Sequence, residues 1–162
     1  MDYHPVVGKI KELIGKNQLW CESFEHEPVR TSEEAAKTRI GYSLKQGAKA
    51  MIIRAKNNEN DKKFVMLVFP ADLKFDNNKV KAALQVKDIR FATPEEITQI
   101  TGGVEIGGVP PFGNLFDIQV FADPKLFLNE KIVFNAGDRR YSIAMKSKDY
   151  QKIVNPKVSE IT

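Results

Sequence analysis

Cysteine and histidine are scarce in this 162-residue chain, which contains one cysteine and two histidines. The single cysteine, Cys21, excludes a disulfide within the chain. A zinc site of about four ligands would have to use Cys21, His4 and His26 together, so we expect no metal site. We interpret Cys21 as a packed core thiol. The scarcity of cysteine predicts a protein of a reducing, cytoplasmic compartment.

Long apolar runs are also missing. The longest, such as 64–69, fall far short of the roughly 20 residues that span a membrane, and no charged leader precedes an apolar stretch at the start. We therefore expect neither a targeting segment nor a membrane partner. The 42% hydrophobic and 28% charged residues predict one globular domain over 1–162. The formal net charge of +4 is a weak indication of a polyanionic partner.

The motifs of several common enzyme classes are absent. The chain has no phosphate-binding loop, no dinucleotide-binding Gly-x-Gly-x-x-Gly between a strand and a helix, and no Gly-x-Ser-x-Gly elbow. Cys21 and His26 are five residues apart, so on one unbroken strand they would face opposite sides. If the protein is an enzyme, we expect it to work without a protein nucleophile, a metal or another cofactor.

Helix and strand signals are interspersed along the chain. Pro5 and Gly15 bound an amphipathic helix, and capping boxes begin at Thr31 and Thr93. Further helices are predicted at 78–84 and 147–154, and strands at 19–26, 48–55, 64–69, 90–92, 117–122, 131–136 and 141–146. This order favours an α+β fold with a curled, barrel-like mixed β-sheet flanked by helices.

Lys49 begins a strand that is otherwise almost entirely apolar. One interpretation is a strand-end lysine whose ammonium group simply reaches water. The other is a lysine at the mouth of a pocket, where it would bind phosphate or polarise a ligand. The pattern alone leaves both open.

A loop rich in glycine and proline follows the second capped helix, at 107–113. Glycine permits close approach of the backbone to a ligand, and proline stiffens the loop. Such a loop can aim N–H groups at a carbonyl or a developing oxyanion, or it can be an ordinary tight turn.

A second loop signal lies at 135–140, between two predicted strands. Gly137 and Asp138 are typical of a hairpin turn. The adjacent Arg139 and Arg140 would either contact a nucleic-acid backbone or form a solvated hairpin tip. The segment from His26 to Pro28 is interpreted as a surface turn.

Taken together and in order, the segments 26–36, 47–50, 64–68, 107–113 and 136–140 resemble the YbaK family. This family includes the editing domain inserted in bacterial prolyl-tRNA synthetases. The resemblance extends from about residue 20 to 154, and it depends on the order and spacing of segments that are individually weak.

The resemblance implies a trans-acting aminoacyl-tRNA deacylase that acts on the acceptor end, using water or the substrate's own hydroxyl or thiol. Lys49 matches the family's key lysine, which would contact the tRNA 3′ end. Gly107 begins its Gly-x-x-x-Pro loop, whose N–H groups would hold the ester carbonyl. Substrate binding is predicted for Gly108, Val109, Pro110, Pro111, Phe112, Gly137 and Asp138, and tRNA binding for Arg139 and Arg140.

The substrate and partner are less defined. Alanine-editing members carry a pocket histidine after the loop, whereas no histidine follows His26 here. The 136–140 segment is closer to free-standing members that act on cysteinyl-tRNA, so cysteinyl- and alanyl-tRNA for proline are candidate substrates, with prolyl-tRNA synthetase a candidate partner. A non-catalytic tRNA-binding or synthetase-associated module and a small-molecule pocket protein are the alternatives.

Overall fold

The computed structural model describes residues 2–162 and has the predicted mixture of helices and strands. The helices are α1 (Pro5–Lys16), α2 (Ser32–Thr38), α3 (Asn77–Leu84), α4 (Pro94–Thr101) and α5 (Ser147–Val154). The strands are β1 (Cys21–Glu25), β2 (Ala48–Lys56), β3 (Lys63–Pro70), β4 (Asp88–Phe91), β5 (Gln119–Ala122), β6 (Lys131–Asp138), β7 (Tyr141–Lys146) and β8 (Lys157–Val158). The predicted α+β class is confirmed. No helix in 2–162 combines the length and apolar character needed to cross a bilayer.

The strands form two sheets that are not closed into a barrel. One has the order β1-β7-β6 and the other β4-β2-β3-β5-β8. A parallel bridge between Gly47 and Val133 links them. β2 pairs with β3 along Ala48–Ala55, but β4 covers only Ile53–Lys56. The first half of β2 is therefore an open edge beside which a cleft can form.

The larger sheet has apolar side chains on both faces, as the continuous apolar run at 64–69 predicts. Met66 and Val68 of the central strand β3 pack in a core shared with α1 and the smaller sheet. Val65 and Leu67 point to the opposite face and pack with α3. This two-sided burial places β3 at the centre of the sheet, and β2, which carries Lys49, pairs with it from Ala48 to Ala55.

The helix caps agree with the sequence in all but one hydrogen bond. At α4, Thr93 and Glu96 form the complete reciprocal box. At α2, Thr31 Oγ1 accepts from the Glu34 N–H at 3.1 Å. The Glu34 carboxylate, however, accepts from the N–H of Arg30 instead of that of Thr31.

Three local predictions were wrong or incomplete. Cys21 is exposed because it lies on β1, the outer strand of the smaller sheet, instead of in the core. The β6–β7 hairpin is present, but β6 continues through Asp138, so its tip is Arg139–Arg140 and not Gly137–Asp138. The short strand β8 had no counterpart in the sequence analysis.

Candidate active site

A cleft of about 720 Å³ lies beside the open edge of β2. Lys49 from β2 and Gly107 and Val109 from the glycine- and proline-rich loop line it together. The two segments that the sequence analysis singled out for chemistry therefore meet at one site.

Lys49 is exposed and forms no ion pair with the carboxylates of residues 2–162. Its position in the cleft wall favours the interpretation as a ligand-facing lysine over that of a lysine reaching bulk water. A cation that no protein acid neutralises is available to an anionic group of a ligand.

The loop presents few N–H groups to the cleft. The Gly108 N–H donates to the Glu105 carbonyl at 2.9 Å, closing a turn whose third residue, Gly107, has a φ of +90° that favours glycine. Pro110 and Pro111 have no N–H. The N–H groups of Gly107 and Val109 make no hydrogen bond within the described chain, and both residues line the cleft.

Other residues of this loop are buried under it and do not line the cleft. The ring of Phe112 is 0% exposed and packs edge-on against Phe134 and Tyr150, which corrects its prediction as a substrate contact. Pro111 is buried, and its carbonyl accepts from the Tyr150 hydroxyl at 2.6 Å. The buried residues Gly108 and Pro110 are likewise outside the cleft lining.

The predicted residues Gly137, Asp138, Arg139 and Arg140 do not line the Lys49 cleft. They line a separate hollow of about 240 Å³. Arg139 pairs with Glu105 at 2.6 Å, and Arg140 pairs with Asp138 at 2.8 Å. Hydrogen bonds from the Arg140 side chain, ahead of its backbone N–H, lower the pKa of Asp138 to about 2. These charges are satisfied within the protein.

Local packing explains why residue 137 is a glycine. Its φ is +107°, and a Cβ at this position would lie 1.9 Å from Val6 Cγ1 on α1. The glycine permits close approach of α1 to the β6 bulge.

A polar network that the sequence did not predict lies in the floor of the cleft. Arg39, which is 6% exposed, donates from Nε to Ser142 Oγ at 3.0 Å and from Nη2 to Asn135 Oδ1 at 3.1 Å. Asn135 Nδ2 donates to the Gly107 carbonyl at 2.6 Å. Burial lowers the pKa of Arg39 to about 10. These partners are far apart in sequence, so no local pattern could have revealed them.

His26 belongs to the same network. Its Nδ1 lies 2.8 Å from the Glu27 carbonyl and its Nε2 lies 2.8 Å from Ser142 Oγ. Because a carbonyl only accepts, Nδ1 must carry a proton, and Nε2 shares a hydrogen bond with the Ser142 hydroxyl. His26 therefore does more than form the surface turn that the sequence indicated.

Residues 26–153 match the family model described as the aminoacyl-tRNA editing domain. The chain belongs to this family. The resemblance seen in the sequence and the predicted enzyme class, an aminoacyl-tRNA deacylase, are thereby confirmed.

Curated relatives of this editing domain include two kinds of protein. The chain is 33% identical over 134 residues to the "Multifunctional Ser/Thr-tRNA deacylase ProXp-y" of Escherichia coli (strain K12), covering 82% of this chain and 78% of the relative. It is 34% identical over 152 residues to the proline--tRNA ligase of Bacillus licheniformis. That match covers 91% of this chain but 25% of the ligase.

Solved structures show the same fold. A protein proposed to be a trans-editing enzyme for prolyl-tRNA synthetase superposes with a TM-score of 0.82 at 21% identity, covering 99% of each chain. A hypothetical protein, APE2540, has a TM-score of 0.81 at 24% identity and covers 94% of this chain and 98% of its own. These likenesses support the architecture of the editing domain.

Two exposed apolar side chains complete the editing-domain cleft. Phe91 at the end of β4 is 57% exposed, and Ile106 beside the loop is 54% exposed. Both line the cleft. An exposed aromatic ring in a basic cleft is a platform on which a nucleobase can stack.

The cleft lining contains no cysteine or histidine. Within residues 2–162, no cluster of three or more His, Cys, Asp or Glu side chains is arranged to hold a metal ion. The ionisable groups of the lining are instead the basic residues Arg30, Arg39, Lys49 and Lys74 and the acidic residues Glu33 and Asp72.

Proposed function

We propose that this protein hydrolyses the ester of mischarged aminoacyl-tRNA in the Lys49 cleft. The observation that carries the proposal is that Lys49, which has no acid partner among the described residues, lines one cleft with Gly107 and Val109, whose N–H groups make no hydrogen bond with described residues. Family membership supports the reaction class. Aminoacyl-tRNA is made and used in the cytoplasm, where we expect the protein to act.

In the proposed reaction, the ammonium group of Lys49 binds a phosphate of the tRNA 3′ end and places the ester over the loop. The exposed ring of Phe91 stacks on the terminal base. A cation for the backbone and an aromatic ring for the base are the usual means of holding a single-stranded end.

The ester carbonyl lies against the N–H groups of Gly107 and Val109. A water molecule, or the substrate's own hydroxyl or thiol, attacks the carbonyl carbon and makes a tetrahedral oxyanion, which the two N–H groups stabilise. The carbon–oxygen bond to the ribose then breaks. With water as the nucleophile, the products are the free amino acid as its carboxylate, a tRNA with its terminal hydroxyl restored, and one proton released to solvent. With the side-chain hydroxyl or thiol as the nucleophile, the same bond breaks to give a cyclic ester or thioester of the amino acid, which water then hydrolyses.

Two pairs of amino acids are candidates for the one that the protein removes from tRNA. The sequence resemblance suggests cysteinyl- and alanyl-tRNA for proline, whereas the deacylase relative is named for seryl- and threonyl-tRNA. We favour the hydroxyl-bearing pair because the cleft floor is polar, with Arg39 and Asn135 in the lining. Because the domain is related to part of a proline--tRNA ligase, tRNA for proline is the first tRNA to test, with prolyl-tRNA synthetase as the candidate partner.

The test is a single-turnover panel of tRNA charged with alanine, cysteine, serine or threonine. We expect Lys49→Ala to slow hydrolysis on the order of 100-fold, since it removes one fixed electrostatic contact to the substrate. The melting temperature should not change, because the Lys49 side chain is exposed. Lys74→Ala is the matched control, since Lys74 is another exposed lysine of the same cleft.

Two outcomes would contradict the proposal. One is that no charged tRNA loses its amino acid faster than in buffer, which would favour a binding module. The other is that Lys49→Ala and Lys74→Ala are both as active as the unmodified protein, which would place the chemistry elsewhere.

A further inference from the structure

Arg39 carries a buried positive charge without an acidic partner. Its hydrogen-bond acceptors, Ser142 and Asn135, are neutral, and it forms no ion pair with the carboxylates of residues 2–162. Burying a cation among neutral groups is unfavourable. Such a buried guanidinium suits a site in which a ligand supplies an oxygen atom as a further hydrogen-bond acceptor.

The guanidinium of Arg39, a lining residue of the cleft, has one nitrogen that is free of hydrogen bonds to described residues. Nε and Nη2 are used within the protein, whereas Nη1 donates to no described residue. Among the side-chain nitrogen and oxygen atoms of 2–162, only Arg54 Nε is both sealed from solvent and without a partner, so Arg39 Nη1 keeps some exposure, and Arg39 is a lining residue of the cleft. Nη1 lies 3.8 Å from the position that a Cβ on Gly47 would occupy.

This free nitrogen lies between the two segments proposed to hold the ester. On one side, the amide of Asn135 bridges Arg39 to the carbonyl of Gly107. On the other side is Gly47, two positions before Lys49 in the strand segment. The amino-acid side chain of an ester held by Lys49 and the loop would therefore extend towards Arg39.

We propose that Arg39 determines substrate specificity by donating a hydrogen bond from Nη1 to a side-chain oxygen of the amino acid being removed. This inference rests on the proposed deacylase function. A guanidinium has donors and no acceptor, so its partner must be an acceptor. Serine and threonine supply a hydroxyl oxygen, cysteine supplies a weakly accepting sulfur, and alanine supplies nothing.

The network around Arg39 keeps its orientation fixed before substrate binds. Ser142 Oγ accepts from Arg39 Nε, and it lies 2.8 Å from His26 Nε2 and 3.3 Å from Asn135 Oδ1. Asn135 is held by Arg39 at its oxygen and by the Gly107 carbonyl at its nitrogen. A donor held in this way discriminates strongly, because a substrate without the oxygen leaves it unpaired.

The experiment compares seryl-, alanyl- and cysteinyl-tRNA with the same tRNA body in single-turnover hydrolysis. For the unmodified protein we expect the seryl ester to be cleaved roughly 10- to 100-fold faster than the alanyl ester, the range for a hydrogen bond to a charged group. Arg39→Met should bring this ratio near one by slowing the seryl reaction more than the alanyl reaction. Arg39→Lys should restore part of the ratio.

Arg30→Met is the matched control, because Arg30 lines the same cleft but is exposed and makes no ion pair with described residues. We expect it to leave the seryl-to-alanyl ratio unchanged. Melting curves of each variant separate a loss of folded protein from a change in selectivity.

The outcomes separate the two proposals. Hydrolysis of none of the esters overturns the deacylase function and this inference with it. Equal rates on seryl and alanyl esters in the unmodified protein overturn the role of Arg39 alone, even if every Arg39 variant fails to fold. An equal loss on both esters in Arg39→Met would also overturn it, since a purely structural arginine has that effect.

Discussion

Two hollows lie on either side of the Gly107–Gly108 turn, and both contain basic side chains. They differ in whether protein carboxylates pair with those side chains. In the larger cleft, Lys49 and Arg39 have no acidic partner among the described residues. In the smaller hollow, Arg139 and Arg140 each pair with a carboxylate. Basic residues that look equivalent in the sequence therefore differ in their availability to a ligand.

The two hollows differ because carboxylates lie next to the arginines of the smaller one. Arg139 supports the turn from behind, its Cδ lying 3.5 Å from where a Cβ on Gly107 would be, while its guanidinium turns back to Glu105. A partly exposed ion pair adds little stability, but it neutralises a charge that a ligand would otherwise use. The smaller hollow thus supports the loop, and the larger one is free to bind.

Gly137→Ala should have the largest effect on stability. A Cβ at Gly137 would lie 1.9 Å from Val6 Cγ1, and the positive φ is unfavourable for alanine. We expect a loss of about 2–4 kcal/mol in the free energy of unfolding, measured by chemical denaturation. The hydrolysis rate per folded molecule should be unchanged if the hollow has no catalytic role.

Gly8→Ala is the control for this comparison. Gly8 lies within α1, and a Cβ there would have no atom within 4 Å. We expect it to stabilise the protein by up to about 1 kcal/mol through helix propensity. Equal stability of Gly137→Ala and the unmodified protein would show that the close approach of α1 is misassigned.

Asp138→Asn should have a smaller, pH-dependent effect. The folded pKa of Asp138, about 2, is below its ordinary value of 3.8 because Arg140 favours the carboxylate. Its contribution is therefore fully present above pH 3.8 and is lost as the pH falls through about 2. After solvent screening we expect roughly 1 kcal/mol at neutral pH.

The measurement is the difference in unfolding free energy between the unmodified protein and Asp138→Asn from neutral pH down to acid. Arg140→Gln should remove most of the same pH dependence, because the two groups form one pair. A difference that stays constant with pH would mean that the pair does not form.

The double change of Arg139→Ala and Arg140→Ala should have the smallest effect on function. Because both guanidinium groups are paired within the protein, we expect tRNA binding to weaken by less than roughly threefold and its salt dependence to change little. Binding titrations at two salt concentrations test this. A large loss with a reduced salt slope would instead make the hollow a tRNA contact, as the sequence analysis predicted.

Local signals predicted much of the fold. The capping box at Thr93 and the start of α5 at Ser147 agree with the structure, because such signals depend on neighbouring residues. The apolar run at 64–69 correctly indicated a central strand. Cys21 was misplaced because an edge strand cannot be told from a central one by composition alone.

The candidate site was predicted in part. Lys49 and Gly107 were named from the sequence and do line one cleft. Phe112 was included because it is adjacent to the loop, and only packing shows that its ring turns into the core. Arg39 was missed because it bonds to Asn135 and Ser142, 96 and 103 residues away.

The sequence by itself determined the family, the helix and strand order, the lack of a disulfide, and the lysine and loop on which the proposed chemistry depends. The tertiary structure decided which basic side chains are paired with a carboxylate and which are available to a ligand. An arginine's availability depends on whether a carboxylate lies within a few ångströms, and that distance is set by the packing of segments remote in the chain. For this reason the net charge of +4 indicated a polyanionic partner, but only the fold separates Lys49 and Arg39 from Arg139 and Arg140.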